Sequence, residues 1–161
     1  MSQPQDRADR PNRVPWPPLI YGAAAILAVA LGWLWPAPTP IPGGRMLGAL
    51  VMLAGIGLDG AAMLAMHRHH ANILPHRAAT ALVTTWPFSI SRNPIYLGNT
   101  ILLAGAGPTF GDAWFLPLAL IAALVTARLA IAREEAHLAA RFGPAWAAYA
   151  SRTPRWVWLG R

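Results

Sequence analysis

The chain has 161 residues, of which 55% are hydrophobic and only 12% are charged, and its mean hydropathy is +0.38. Ordinary soluble domains carry about 25% charged residues, so the composition indicates a membrane protein. The formal charge is +7, but the arginines lie between and beyond the apolar segments and form no basic stripe with interleaved aromatics, which argues against nucleic-acid binding. The lack of cysteine excludes disulfides, a thiolate nucleophile and a thiolate metal site.

The N-terminal part begins with a polar stretch and continues into two apolar ones. Residues 1–15 contain proline, show no periodicity and lack the pattern of a cleavable signal peptide, which predicts a disordered basic tail. Residues 16–161 are then expected to form a single membrane domain. Its first span is predicted at about Trp16–Trp35, because about 20 apolar residues cross the hydrocarbon of a bilayer. The proline-rich residues 36–42 end that helix.

A second span is predicted at about Met46–Met66, where four glycines favour close packing against another helix. Asp59 is its only charge. One interpretation is a structural acid near the headgroups or paired with an arginine. The other is a contact with substrate or cofactor, since an acid within a membrane span marks a candidate site.

The next segment, residues 67–92, is polar and basic, and its histidines are interpreted as solvated interfacial side chains and not as metal ligands. A third apolar segment begins at Pro94, a favourable first helical residue, and runs to about Gly107, which is short for a full crossing. Asn93, Tyr96 and Thr100 share one face of this helix and form a polar seam on it.

The fourth span is predicted at about residues 113–132, and no breaker separates it from Glu134 and Glu135, so the helix should continue into water. Beyond it, apolar residues at helical spacing predict an amphipathic helix along the membrane interface, which Gly143-Pro144 divides; they are Leu138, Phe142, Trp146 and Tyr149. The predicted fold is therefore an all-α integral membrane protein with about four membrane-embedded helices and a C-terminal amphipathic interfacial helix.

Arginine positions predict the topology. They are concentrated in the N-terminal tail, in residues 67–92 and at the C-terminus, so both termini and that loop are expected to be cytoplasmic. Four crossings then bring Arg92–Tyr96 and Glu134-Glu135 to the same side at similar depth. Such a site has donors, carboxylates and apolar walls that suit a zwitterionic amino acid carrying a sulfonium and an adenine. Both clusters also have a structural alternative. Glu134-Glu135 would then be a solvated helix face, and Arg92-Asn93-Pro94 would be a helix start with a snorkelling arginine.

Six short motifs resemble the isoprenylcysteine carboxyl methyltransferase and phospholipid methyltransferase superfamily, in order and in spacing. They are Leu82–Phe88, Ser91–Gly98, Arg133–Glu135, Arg141–Pro144, Trp146–Tyr149 and Thr153–Trp156. The resemblance covers about residues 80–156. It implies an integral-membrane methyltransferase that uses S-adenosylmethionine and releases S-adenosylhomocysteine. The cofactor-binding residues that it implies are Leu82, Val83, Thr84, Pro87, Arg92, Asn93, Tyr96, Gly98, Glu134 and Glu135.

The chain departs from the family pattern at two positions. Asn93 stands where the family most often has histidine, and Trp86 stands where it often has glycine. Because asparagine cannot titrate near neutral pH, Asn93 is predicted to position the cofactor and not to transfer a proton.

The acceptor is expected to be a lipophilic carboxylate or thiol, such as an isoprenylcysteine-like group, whose charge Arg128 or Arg133 would hold. The alternative is a phospholipid amine, with Glu135 as the base. Asp59 and Thr100 are candidate substrate contacts. The expected partners are the bilayer and this acceptor, with no metal and no nucleic acid. A non-catalytic scaffold or transport subunit is the alternative of another class, and a haem enzyme is disfavoured because no histidine lies within a span.

Overall fold

The computed structural model describes residues 16–39, 41–72 and 79–157, so the predicted tail at residues 1–15 lies outside the described part. Within these ranges the chain is helical and contains no strand, which confirms the all-α prediction. The helices are α1 (Trp16–Leu34), α2 (Gly44–Arg68), α3 (Pro94–Phe110), α4 (Phe115–Thr126), a π-helical segment (Ala127–Ile131), α5 (Ala132–Phe142) and α6 (Pro144–Ala150).

Three helical stretches are long and apolar enough to cross a membrane. They are Trp16–Leu34, Gly44–Arg68 and the continuous rod Phe115–Phe142. Their outward faces carry large apolar side chains: Ile26 is 73% exposed, Leu53 62% and Leu120 61%. Apolar surface of this extent is compatible with lipid and not with water. The chain is an all-α integral membrane protein.

Helix α3 occupies the interior of the bundle. It extends three residues beyond the predicted end, through Pro108 to Phe110, and its 17 residues span about 25 Å. That is shorter than the roughly 30 Å of a hydrocarbon core. Phe110 is the only residue of α3 that is exposed. Because other parts of the chain surround α3, its length does not have to match the thickness of the bilayer.

Glycines allow α2 and α3 to pack with their backbones in contact. A Cβ atom on Gly55 would lie 2.7 Å from the carbonyl oxygen of Gly98, and one on Gly105 would lie 2.8 Å from the amide nitrogen of Met52. Real Cβ atoms do not approach backbone so closely, so these positions require glycine. The predicted close packing is confirmed for Gly55. It does not hold for Gly57, which has nothing near its Cβ position.

The two short turns of the bundle meet at one end. The amide of Thr39 donates to the carbonyl of Gly111 at 3.1 Å, and that of Ala113 donates to the carbonyl of Ala37 at 2.8 Å. Residues 79–93 and helices α5 and α6 therefore lie at the opposite end, as the four-crossing prediction requires. Which end faces the cytoplasm stays a prediction.

The fourth apolar helix continues out of the bundle without a break, which confirms its predicted course. The π-helical segment between α4 and α5 was not predicted. A π turn holds one extra residue, which rotates everything after it by about 100° relative to a regular helix. Ile131 is fully buried in this segment, whereas Arg128 is exposed. The rotation sets which face of α5 is directed at α3.

The C-terminal helices turn their apolar face inward. Helix α5 ends at Phe142 and is followed by Gly143, whose φ of 50° is the left-handed region that favours glycine, and Pro144 starts α6. Trp146 is 7% exposed and Tyr149 5%. Half of the stripe that was predicted to face the membrane interface is thus packed against the protein, because the break at Gly143 folds α6 back onto the loop before α3.

We predict that Gly55→Ala lowers the melting temperature of the detergent-purified protein by several degrees. The new methyl group would meet the backbone of α3, and overpacking of this kind costs about 1–3 kcal/mol. Gly57→Ala is the matched control on the same helix. It should leave stability unchanged or raise it by up to about 1 kcal/mol, through the higher helix propensity of alanine. Equal melting temperatures for the two variants would contradict the packing described here.

Candidate active site

The start of α3 is fixed by a segment from the far end of the chain. Pro94 is the first helical residue, and the backbone amide of Asn93 donates to the Ser91 hydroxyl at 3.1 Å. The Asn93 side-chain amide donates to the carbonyl of Arg155 at 2.9 Å, and the backbone amide of Arg92 donates to the carbonyl of Pro154 at 2.9 Å. The polar residues before α3 therefore hold the C-terminal segment in place.

The two adjacent glutamates of α5 have different partners. Tyr96 donates its phenolic hydrogen to Oε1 of Glu134 at 2.7 Å. Oε1 of Glu135 lies 3.2 Å from Nη1 of Arg92 and 3.1 Å from Nε of Arg155, and Oε2 accepts from Nη2 of Arg155. The hydrogen bond to Glu135 raises the pKa of Arg155 above its usual value. The structure thus joins the α3 cluster to the glutamate pair, as the predicted topology requires.

Arg92 lies at the centre of this arrangement. Its guanidinium carbon is 5.6 Å from the centroid of the Trp146 ring, a favourable cation–π distance. The side chain is 16% exposed, and its Nε atom is buried without a hydrogen-bond partner among the described residues. A buried donor left in this state is costly, so the described residues do not fully satisfy this guanidinium.

A cavity of about 150 Å³ opens beside these groups. Its polar wall contains Arg92, Asn93, Tyr96, Glu134 and Glu135, and its remaining lining is largely apolar and aromatic, including Leu82, Val83, Phe88, Ile95, Leu138, Trp146 and Tyr149. Charged groups on one wall and aromatic groups on another suit a ligand that has a polar and a planar apolar part.

Tyr149 closes the apolar wall. Its hydroxyl donates to the carbonyl of Phe88 at 2.7 Å, and its ring meets that of Trp146 edge-on with centroids 5.7 Å apart. Burial raises the pKa of the Tyr149 phenol, so it remains a neutral donor. Helix α6 and the loop before α3 are in this way joined into one wall.

Seven of the ten predicted cofactor residues line the cavity: Leu82, Val83, Arg92, Asn93, Tyr96, Glu134 and Glu135. The other three do not. Thr84 is exposed, Pro87 is buried in the loop, and Gly98 packs against α2. The roles of all ten stay predictions.

The predicted catalytic and substrate residues are more dispersed. Arg128 and Arg133 are exposed and do not line the cavity. The Thr100 hydroxyl donates to the carbonyl of Tyr96 at 2.8 Å and lies 2.7 Å from the Tyr21 hydroxyl, inside the bundle. The structure therefore brings Glu135 to the cavity but leaves these other candidates outside it.

Asp59 lies between α2 and α3. Its carboxylate occupies the space where a Cβ atom of Gly98 would be, and its Oδ1 atom is buried with no hydrogen-bond partner among the described residues. It forms no ion pair with a described arginine. The structural pairing considered for Asp59 is thus not found within the described chain.

Sequence reasoning missed several residues of the site, among them Phe88, Trp146, Tyr149 and Arg155. Three of these line the cavity, and the fourth holds Glu135. Their signal was present in the Leu82–Phe88, Trp146–Tyr149 and Thr153–Trp156 motifs. Helical spacing alone could not show that this surface faces a cavity and not the membrane interface.

Comparison with known proteins agrees with this architecture. A family model described as phospholipid methyltransferase matches residues 44–145, which run from the start of α2 into α6. The nickel-cobalt-cadmium resistance protein NccN of Alcaligenes xylosoxydans xylosoxydans is 35% identical over 105 residues, which cover 63% of this chain and 48% of that protein. The match thus spans about half the length of this relative. The family model includes α3, the glutamate pair and most of the cavity lining, and the chain belongs to the phospholipid methyltransferase family.

Proposed function

We propose that this protein is a membrane-embedded methyltransferase that transfers a methyl group from S-adenosylmethionine to the amine of a lipophilic acceptor. The observation that carries the proposal is the cluster of Arg92, Tyr96, Glu134 and Glu135 on one wall of an aromatic-lined cavity. In a chain of this family, such a cluster supports binding of the amino-acid part of the cofactor.

The residues present fit S-adenosylmethionine. The guanidinium of Arg92, which lines the cavity, would bind the carboxylate of the cofactor. Glu134 would bind its ammonium group, while Tyr96 orients that glutamate. Phe88, Trp146 and the other apolar lining residues would enclose the adenine. When bound, the cofactor supplies an electrophilic methyl group. The chain contributes positioning and exclusion of water.

The positions of the charged residues favour an amine over an anionic acceptor. Arg128 and Arg133, the groups expected to hold an anion, are exposed outside the cavity. Asp59 also lies outside the cavity lining, but its buried Oδ1 atom packs against Gly98, about one helical turn deeper than the cavity residue Ile95, and has no hydrogen-bond partner among the described residues. An acid in this position is costly unless a cation or a proton compensates it.

A lipid ammonium group would compensate the charge of Asp59. An amine must lose a proton before its nitrogen can form the new N–C bond, because the attack requires the lone pair. Under this proposal Asp59 would accept that proton before the nitrogen takes the methyl group from the cofactor. A lipid acceptor would reach the site laterally from the bilayer. The arginine distribution supports a cytoplasmic location for the site.

A non-catalytic membrane component is the second candidate function. It is favoured by the 35% identity to a protein named for resistance to nickel, cobalt and cadmium. Titration of the purified protein with S-adenosylhomocysteine distinguishes the two candidates. Binding in the micromolar range supports the methyltransferase, and no binding at millimolar concentration supports the second candidate.

We predict that Glu134→Gln weakens S-adenosylhomocysteine binding about tenfold or more. Hydrogen bonds to charged groups contribute about 1.5–3 kcal/mol, and the variant removes the charge that faces the ammonium. Isothermal titration calorimetry measures the effect. Arg141→Gln, at an exposed position on the same helix, is the control and should bind within twofold of the wild type. A Glu134→Gln variant with wild-type affinity would exclude the assigned role of this glutamate.

We predict that Asp59→Asn leaves S-adenosylhomocysteine affinity within about twofold but reduces methyl transfer at least about a hundredfold, since general acid–base groups contribute about 10²–10⁴ in rate. The assay uses labelled S-adenosylmethionine and a membrane extract. Treatment of the labelled lipid with alkali tests for a carboxylate acceptor, because carboxyl methyl esters release methanol whereas N-methyl and S-methyl groups do not. Alkali-labile product would reject the amine assignment, and full activity of Asp59→Asn would reject the role of Asp59 as the base.

A further inference from the structure

Residues Thr153–Trp156, which we call the C-terminal strap, run along the start of α3. The backbone of the strap accepts three hydrogen bonds from that region. The Arg92 amide donates to Pro154 at 2.9 Å, and the carbonyl of Arg155 accepts from the Asn93 side chain at 2.9 Å and from the Ser91 hydroxyl at 3.3 Å. Thr153 is buried where the strap leaves α6. The position of the Arg155 backbone is thus fixed relative to the cavity.

From this fixed backbone, the Arg155 side chain reaches across to Glu135. Its Nε lies 3.1 Å from Oε1, and its Nη2 bonds Oε2, the paired geometry in which arginine binds carboxylates most strongly. Nη1 of Arg92 approaches Oε1 at 3.2 Å. Three guanidinium contacts take up most of the roughly four acceptor positions of a carboxylate. Glu135 therefore has little capacity left for a ligand ammonium or for an exchangeable proton.

We propose that Arg155 is a positioning residue of the cofactor site, which acts through Glu135 to hold the Arg92 guanidinium in the cavity wall. The inference rests on the proposed function and gives the two glutamates different roles. Glu134, bonded by Tyr96, contacts the ligand, whereas Glu135 links two arginines. Of these two arginines, Arg92 lines the cavity and stacks on Trp146, whereas Arg155 is not part of the cavity lining. Arg92 would thereby be held in position to bind the carboxylate of the cofactor.

Asn93 fits the same arrangement. Its side-chain amide donates to the carbonyl of Arg155. Its contribution is to hold the strap, which requires a donor and no titratable group. Asn93, Arg155 and Glu135 thereby belong to one connected set of hydrogen bonds.

The test compares S-adenosylhomocysteine affinity by calorimetry for the full chain in detergent and for three variants. Arg155→Gln should weaken binding about tenfold, and Arg155→Lys should recover part of that loss by restoring the charge without the paired geometry. Arg152→Gln is the matched control. The Arg152 side chain is exposed on the same tail and, among the described residues, bonds the carbonyl of Ala148 and not Glu135, so the affinity of this variant should stay within twofold of the wild type. An unchanged affinity of Arg155→Gln overturns the inference, as does an equal loss in Arg152→Gln.

A double-mutant cycle tests whether Arg155 acts through Glu135. If it does, Glu135→Gln combined with Arg155→Gln should lose no more affinity than the weaker-binding single variant. Losses that multiply would show that Arg155 acts independently, and the inference would fail. If the wild type itself binds no S-adenosylhomocysteine, the proposed function fails and the ligand named here fails with it. Binding by the wild type with no change in Arg155→Gln rejects the inference alone.

Discussion

The carboxylate of Glu135 between Arg92 and Arg155 is the interaction that connects the separate parts of this site. It joins α5, the start of α3 and the C-terminal strap, which are distant in the sequence. The side chains of Glu135 and Arg92 are only 15% and 16% exposed, and leaving either charge without the other would be destabilising. Arg155 is 44% exposed and adds its contacts from the solvent side, so the three groups together hold the end of the helix bundle around a cavity.

Two features of the membrane helices make that closure possible. Glycines at the contact let α2 and α3 approach at backbone distance, which encloses α3 within the bundle and sets the depth at which its polar start emerges. The π-helical segment then rotates α5, so that Tyr96 meets Glu134 while Arg92 meets Glu135. Adjacent residues on a helix point about 100° apart, and adjacent glutamates can accordingly serve different partners.

The arrangement suits chemistry at a membrane boundary. The proposed charged, water-soluble cofactor would need a polar wall that is accessible from the aqueous side, whereas a lipid acceptor would enter from the hydrocarbon. The cavity has its charged groups directly before α3 and on α5, and the carboxylate of Asp59 lies between α2 and α3, outside the cavity lining. Membership of the phospholipid methyltransferase family agrees with such a division between cofactor and acceptor.

The sequence by itself determined the all-α membrane fold, the approximate bounds of the helices and the pairing of the α3 start with Glu134 and Glu135. These follow from local quantities: apolar length, prolines and glycines at helix ends, and arginine counts on the two sides of the membrane. Only the tertiary structure decided that α3 is enclosed, that Trp146 and Tyr149 face a cavity, and that Arg155 binds Glu135. Those outcomes depend on contacts between residues far apart in the chain, and on a π-helical rotation of about 100° that regular helical periodicity does not encode.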